Sequence, residues 1–420
     1  MDNPHLPRIS RGMTFDTDIA IVGGGLNGPA LALALAQIGL KVTVIDALDL
    51  KLRKNAKFDG RSYSLALASM RLMQGLGIWP VIADQAQPML EIKVTDGRAG
   101  EGPSPFVMQF DHAEIEEGPM GYMVEDRHLR RALLDAVKST PGLTQINGTR
   151  VVGQDVDANG ITVTLDSGRT LRARLLIGAD GRSSGTGERA GIKRVVQSYG
   201  QTALVCAIDH ELPHDGVAHQ FFMPPGPLAI LPLKGKRSSI VWSETTQNAA
   251  RIHALQDDDY IDVLRPRFGS FLGQISLAGA RFTYPLGLSL AHEMIAPRVA
   301  LVGDAAHGMH PIAGQGLNAG LRDVAALAEV IAEAQLRGED IGSDAALARY
   351  QEWRRFDNTS LALATDSFNK LFSNDNPLLR AARDLGMAAV NALPGLRRGF
   401  IREAAGLNGE LPRLMQGKPL

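Results

Sequence analysis

The chain is poor in cysteine: Cys206 is its single thiol in 420 residues. That excludes an internal disulfide and a cysteine-built metal cluster, and it fits a reducing compartment. Long apolar runs are missing too. No stretch reaches the roughly 18 consecutive apolar residues of a membrane-spanning helix. The opening MDNPHLPRISRGM lacks the apolar core of a secretion signal. Neither sign of charge is in excess: the formal net charge is −1, so no global attraction to nucleic acid is expected. Solenoid-type repeats and low-complexity tracts do not occur.

What is present is an ordinary globular composition, 45% hydrophobic and 21% charged, over a length sufficient for two domains. Near the start, a short apolar strand, Asp18–Val22, runs into Gly23-Gly24-Gly25-Leu26-Asn27-Gly28. An Ala- and Leu-rich helix follows, and a second strand, Lys41–Ile45, delivers Asp46. This is a βαβ unit with a G-x-G-x-x-G turn. Gly23 permits the tight turn, Gly25 lets backbone approach a pyrophosphate, and Gly28 allows close packing of helix on strand. Asp46 can accept hydrogen bonds from a ribose. Dinucleotide binding is the reading, with a glycine-rich core turn as the bland alternative.

A second glycine-rich turn lies far downstream. The apolar run Val299–Val302 and Gly303 lead into Asp304–Gly320, DAAHGMHPIAGQGLNAG, and then into the helical stretch Leu321–Ile331. A strand-end acid followed by a glycine-rich helix start suits an anion or an electron-rich ring edge, and Gly314, Gly316 and Gly320 would let a flat ligand come close. A third strand-end acid, Asp180, stands in GADGRSS after Leu175–Ile177. It can bind a ribityl hydroxyl, reach a phosphate through water, or cap the turn. One long ligand touching Asp46, Asp180 and Asp304 is simpler than three sites. Arg61, with Ser62, is read as opening a helix over Ser64–Gly75, and Asp126 as the N-cap of a helix whose first turn holds Arg127. Arg61 suits a phosphate or a carbonyl edge or, more blandly, a surface salt bridge, and Arg127 suits an anionic partner or, more blandly, solvent. His307 and His310 lack a supporting acid set, so no metal site is read there.

Strands predicted at Gln201–Asp209, Gly216–Met223, Leu228–Pro232, Ser238–Glu244 and Ala280–Pro285, with a helix at Asp257–Phe268, form a second domain. The chain returns at Val299 to the first, so the second domain is inserted. Residues 376–420 hold seven basic and three acidic residues. That suits a membrane surface or a partner protein, and equally packing onto the protein's own body.

In order and spacing, Gly23–Gly28 with Asp46, Arg61 in DGR, Arg127, Gly178–Ser184 and Gly303–Gly320 resemble the class A FAD-dependent aromatic hydroxylases, the para-hydroxybenzoate-hydroxylase-like group. GPLAILPL at Gly226–Leu233 and the ending GLNGELPRLMQGKPL are similar to the ubiquinone-biosynthesis branch. Asp46 departs from the glutamate many relatives carry. The resemblance implies an α/β fold: a FAD-binding Rossmann-like three-layer domain (13–87, 111–182 and 297–345), an inserted mixed β-sheet substrate domain (88–110 and 183–296), a C-terminal helical region (346–420) and a disordered tail (1–12).

It also implies roles. Gly23, Gly25, Leu26, Asn27 and Gly28 would hold the pyrophosphate and Asp46 the ribose. Arg61, Arg127, Asp180, Gly181 and Asp304 would contact FAD. Gly314, Gln315, Gly316, Leu317 and Asn318 would line the isoalloxazine, and Pro311 would wall the substrate cavity. The implied reaction is ring hydroxylation of a polyprenylated phenol by a flavin hydroperoxide, with no catalytic side chain named. O2 and NAD(P)H or an electron-transfer protein are the implied co-reactants. A quinone-biosynthesis complex and a peripheral membrane contact through residues 376–420 complete the expected partners. The expected location is cytoplasmic, at the inner face of the membrane. The alternatives are a soluble hydroxylase of a small phenolic acid and a FAD-bound scaffold subunit. A flavin halogenase is disfavoured because W-x-W-x-I-P is missing.

Overall fold

A computed structural model describes residues 14–53, 58–98, 100, 102–308, 315–355, 357, 386 and 390–420. Pro311, Gly314 and His310, residues 1–12 and much of 358–389 lie outside the described residues.

The first sheet has six strands in the order Ile295–Ala296, Val299–Leu301, Leu175–Gly178, Ile19–Val22, Val42–Asp46, Leu143–Asn147. All pairings are parallel except at the Ile295–Ala296 edge. Parallel strands need crossovers that cover both faces, which is why the central strands are almost wholly apolar rather than alternating, while the edge strand Leu143–Asn147 is polar and only partly buried. Ile19, Ile21, Val44, Leu176 and Ile177 are fully buried in one core. The same core takes in the helix Asn27–Gln37, the long helix Gln315–Leu336, and Ile161, Val163 and Leu171 from an antiparallel three-stranded meander.

The second sheet has eight strands in the order His307–Gly308, Ile275–Ala291, Arg194–His210, Arg237–Thr245, Leu228–Leu233, Val217–Phe222, Glu91–Arg98, Gly102–Asp111. Only the pairing of Val217–Phe222 with Glu91–Arg98 is parallel among these. One face buries Leu204, Cys206, Ile240 and Trp242 under the helices Thr246–His253 and Asp257–Phe268. The other face looks back toward the first sheet. A small sheet of Ser62–Ala66, Gly121–Glu125 and Gln87–Met89 lies at the junction.

Several local expectations are corrected. Ser62–Ala66 is a strand, and its helix starts only at Leu67. The reason is tertiary: the segment pairs antiparallel from Ser62↔Glu125 to Ala66↔Gly121, and at Gly121 a β-carbon would collide with the Leu65 carbonyl. Asp126 is the first helical residue rather than the cap. Glu125 occupies the cap position, and the Asp126 carboxylate pairs with Arg130. The strand expected from Gln201 begins at Arg194, and the one expected over Ala280–Pro285 spans Ile275–Ala291. The added residues 194–200 are mostly solvent-exposed, which removes the apolar alternation that marks a strand in sequence, whereas Ile275–Ala291 is set by its long antiparallel pairing with Arg194–His210.

Candidate functional site

The three strand-end acids follow neighbouring strands at one edge of the first sheet, ordered Val299–Leu301, Leu175–Gly178, Ile19–Val22, Val42–Asp46. This is where open α/β sheets hold ligands. The glycine turn follows the strand Ile19–Val22. Gly23 takes φ +118°, and a β-carbon there would collide with the Ala179 carbonyl. One at Gly28 would collide with the carbonyl of Gly23, and one at Gly24 with the Asp46 carboxylate. A β-carbon at Gly25, by contrast, would meet nothing within 4 Å, so that face is open. The helix behind it has no side-chain cap and no acid in its first turn, leaving its first N–H groups for an anion.

Gly25, Leu26 and Asn27 open onto a cavity of about 1500 Å³ that also meets Arg61, Gly181 and Asp304. Gln315, Gly316, Leu317 and Asn318 line it as well, and the space around Gly316 is open. Asn318 is anchored: its Oδ1 accepts from Ala66 N at 2.9 Å and its Nδ2 donates to the Ser64 carbonyl at 3.0 Å. It therefore fixes the start of the long helix against the small sheet. Gly303 and Gly320 serve differently from the sequence expectation for Gly320. A β-carbon at either would collide with the Asn27 amide, so these glycines make room for a side chain of the protein.

Asp46 is 4% exposed and sits behind Gly24, with Oδ1 accepting from Leu48 N at 3.1 Å. Asp180 has both oxygens engaged: Ser184 Oγ donates at 2.5 Å, and Thr186 N and Oγ1 each donate at 2.9 Å. Of the roles left open for it, fixing the turn is the one its bonds display, while neighbouring Gly181 reaches the cavity. Arg127 is placed away from the cavity wall. Its Nε donates to Glu125 Oε2 at 2.6 Å, and its guanidinium lies 5.4 Å from the Phe58 ring centre. Arg61 does face the cavity, held by Asp59 through bonds of 2.9 and 2.6 Å that raise the guanidinium's pKa.

The turn carrying Asp304 is held from both sides. Arg194 donates to the carbonyls of Asp304, at 3.2 Å, and of Ala305. Gly303 N donates to Asp323 Oδ2 at 2.9 Å. Asp323 is wholly buried and also accepts from His307 Nε2 at 2.5 Å and Arg354 Nε at 2.8 Å. Burial alone would raise its pKa. The attraction of His307 and Arg354, with their hydrogen bonds, overcomes this and holds the carboxyl down at about 2. Sequence reasoning missed this network, because Asp323 sits mid-helix, 16 residues beyond His307 and 31 before Arg354. An acid on the apolar stripe of a helix was the available signal.

Beyond the glycine turns the cavity becomes apolar, walled by Ile92, Val94, Phe110, Val205, Leu231 and Val241. Its cations are already paired among the described residues: Arg61 with Asp59, Arg182 with Asp304, Arg322 with Asp357, and Arg354 with Asp323.

Fold and site together define a dinucleotide-binding enzyme with a large apolar chamber. The FAD binding domain family matches residues 16–361. Ubiquinone hydroxylase UbiL of Rhodospirillum rubrum is 46% identical, over 96% of this chain and 93% of that one. The 3-demethoxyubiquinol 3-hydroxylase of Escherichia coli is 36% identical over 93% and 99%. The human mitochondrial ubiquinone biosynthesis monooxygenase COQ6 is 31% identical over 92% of each. The fold is shared with p-nitrophenol 4-monooxygenase PnpA of Pseudomonas putida, at a TM-score of 0.77 and 19% identity, covering 95% of this chain and 100% of that one. The chain belongs to the FAD-dependent monooxygenases, in the family of the ubiquinone-biosynthesis hydroxylases, and FAD is its cofactor. The open face at Gly25, the uncapped helix behind it and the open space at Gly316 fit that cofactor.

Proposed function

We propose that the protein hydroxylates the aromatic ring of a polyprenylated phenol in ubiquinone biosynthesis, using O2 and electrons from NAD(P)H or an electron-transfer protein. The observation that carries this reading is the chamber: polar and glycine-lined at one end, apolar along the sheet, with every described cation on its wall already paired. A small phenolic acid would call for a spare cation, so the prenylated substrate is favoured.

Bound FAD supplies the activation of dioxygen for transfer of one oxygen atom to an electron-rich ring. The chain's own residues bind, orient and shield. Gly25, Leu26 and Asn27 hold the pyrophosphate at the helix start, with Gly23 and Gly28 shaping the turn. Asp46 accepts from the adenosine ribose. Asp304, Gly181 and Arg61 meet the flavin half, and Gln315–Asn318 line its ring. The apolar wall excludes water and holds the substrate ring in place.

The membrane contact is proposed at the described part of the C-terminal segment. No helix among the described residues is long and apolar enough to cross a membrane. The helix Pro394–Ala404 buries Ile401 and leaves Leu396 52% and Phe400 40% exposed, with Leu393 just before it. Arg397, Arg398 and Arg402 flank these apolar residues. Phe400 also reaches the cavity, so lipid-facing surface and chamber meet there. Leu396→Ser with Phe400→Ser is expected to lower binding to anionic vesicles by about tenfold in a flotation assay. Undiminished flotation would remove this helix as the contact.

The function is tested with purified holoenzyme, a reductant, a short-chain prenylphenol and isotopically heavy dioxygen. The expected product carries one heavy oxygen on the ring. Flavin oxidation that yields only peroxide across a series of prenylphenols would contradict the assignment.

A further inference from the structure

On the apolar wall, the amide of Gln220 makes no hydrogen bond among the described residues. The strand Val217–Phe222 alternates between the two faces of its sheet. His219 borders the chamber, but its ring and that of Phe221 lie on the opposite face of the sheet. The His219 ring centre lies 4.5 Å from that of Phe271 and 5.9 Å from that of Phe221, and Phe221 belongs to the core under the two helices. Ala218, Gln220 and Phe222 therefore face the chamber. Register places Gln220 between Val94 and Ala229, and the row continues through Val241 and Val205. An amide with two donors and an acceptor thus stands in a row of valine and alanine. It is half-buried, and it makes no hydrogen bond among the described residues.

Other polar groups on this face are less suited to reach a ligand in the chamber. Ser239 is 2% exposed, on a short side chain. Tyr284 is 43% exposed and stacks on Phe282, which lies under the Arg61 guanidinium.

We propose that Gln220 is a specificity-determining residue, whose amide hydrogen-bonds a ring oxygen of the aromatic substrate, a phenolic hydroxyl or an alkoxy oxygen. The inference rests on the hydroxylase reading above. A phenol donates to the amide oxygen, and a hydroxyl or ether oxygen accepts from the amide nitrogen. The valines and alanines beside it take the ring and its apolar substituent. A substrate without the oxygen would displace water from the amide and return no hydrogen bond, so the wall selects against it.

The test uses FAD-loaded full-length protein and two ligands, a short-chain prenylphenol and the matching prenylbenzene, titrated against the flavin absorbance. Wild type is expected to bind the phenol at least about tenfold more tightly than the benzene. Gln220→Met, near-isosteric and apolar, is expected to bring the two within about twofold, with FAD content and flavin spectrum unchanged. Gln220→Leu serves if the methionine variant loses FAD, and Ser239→Ala is expected to keep the wild-type ratio. A Gln220 variant that retains FAD and the full wild-type ratio overturns the inference while leaving the hydroxylase assignment standing. Failure of wild type to bind any prenylphenol overturns both.

Discussion

At the scale of single residues, the glycines of the first turn divide into two kinds. Gly28 is required by the protein itself, because a β-carbon there meets the Gly23 carbonyl. Gly25 faces open space, so a methyl there burdens only a bound ligand. Gly28→Ala is therefore expected to lower unfolding stability even without FAD, by about 1–3 kcal/mol. Gly25→Ala is expected to keep the apoprotein's denaturant midpoint and weaken FAD binding by about tenfold or more, ~1.4 kcal/mol. Parallel denaturant melts and FAD titrations separate the two, and equal loss of stability in both variants would contradict the distinction.

Asp323 makes a different claim. Removing it takes the carboxylate from between the buried His307 and Arg354, leaving Arg354 its bond to Asp357, and Asp323→Ala is expected to cost roughly 3–5 kcal/mol. Its pKa is lower in the folded chain than in the unfolded one. Its stabilising contribution is therefore fully present above about pH 4 and is lost as pH falls through about 2. The stability gap between wild type and Asp323→Asn should narrow as pH falls from neutrality toward that value. A gap constant with pH would contradict the ionic account.

At the scale of elements, the inserted sheet packs Cys206 against Tyr260 of the helix Asp257–Phe268, with Sγ 3.7 Å from the hydroxyl oxygen. Burial pushes the thiol up to about 12. The single cysteine is expected to be inert to thiol reagents in native protein and to titrate fully in denaturant. Rapid native labelling would mean that this sheet and helix separate readily.

The same scale explains what was legible in the sequence. The central strands of the first sheet, buried on both faces, read as apolar runs, and their glycine turns mark where the cavity opens. Segments whose structure is set by distant partners did not read. Ser62–Ala66 becomes a strand because Gly121–Glu125 lies beside it. The strand Arg194–His210 extends where exposure erases alternation, and Ile275–Ala291 extends because it pairs along it. Residues tied to local motifs, such as Gly25 and Asn27, could be placed from sequence and do line the cavity. Asp323, Arg194 and Gln220 could not, because their roles arise from strands and helices brought together only by the fold. Arg127, expected to meet an anion from its place in a helix's first turn, bonds Glu125 and lies against Phe58 among the described residues.

At the scale of the whole molecule, two sheets enclose one chamber. The first ends in the glycine turns and Asp304 that border it, and the second offers a broad apolar wall. The C-terminal helix Pro394–Ala404 lies where that chamber meets an exposed apolar surface. This arrangement suits a ring carried on a lipid chain, with the ring at the polar end and the chain along the sheet. The central claim is tested most directly by mass spectrometry of the quinones in a strain lacking this gene. Accumulation of a polyprenylphenol short of one ring oxygen, reversed by the wild-type protein but not by one carrying Gly25 and Asp304 substitutions, is the predicted result. Unchanged quinones, with no second hydroxylase present, would contradict it.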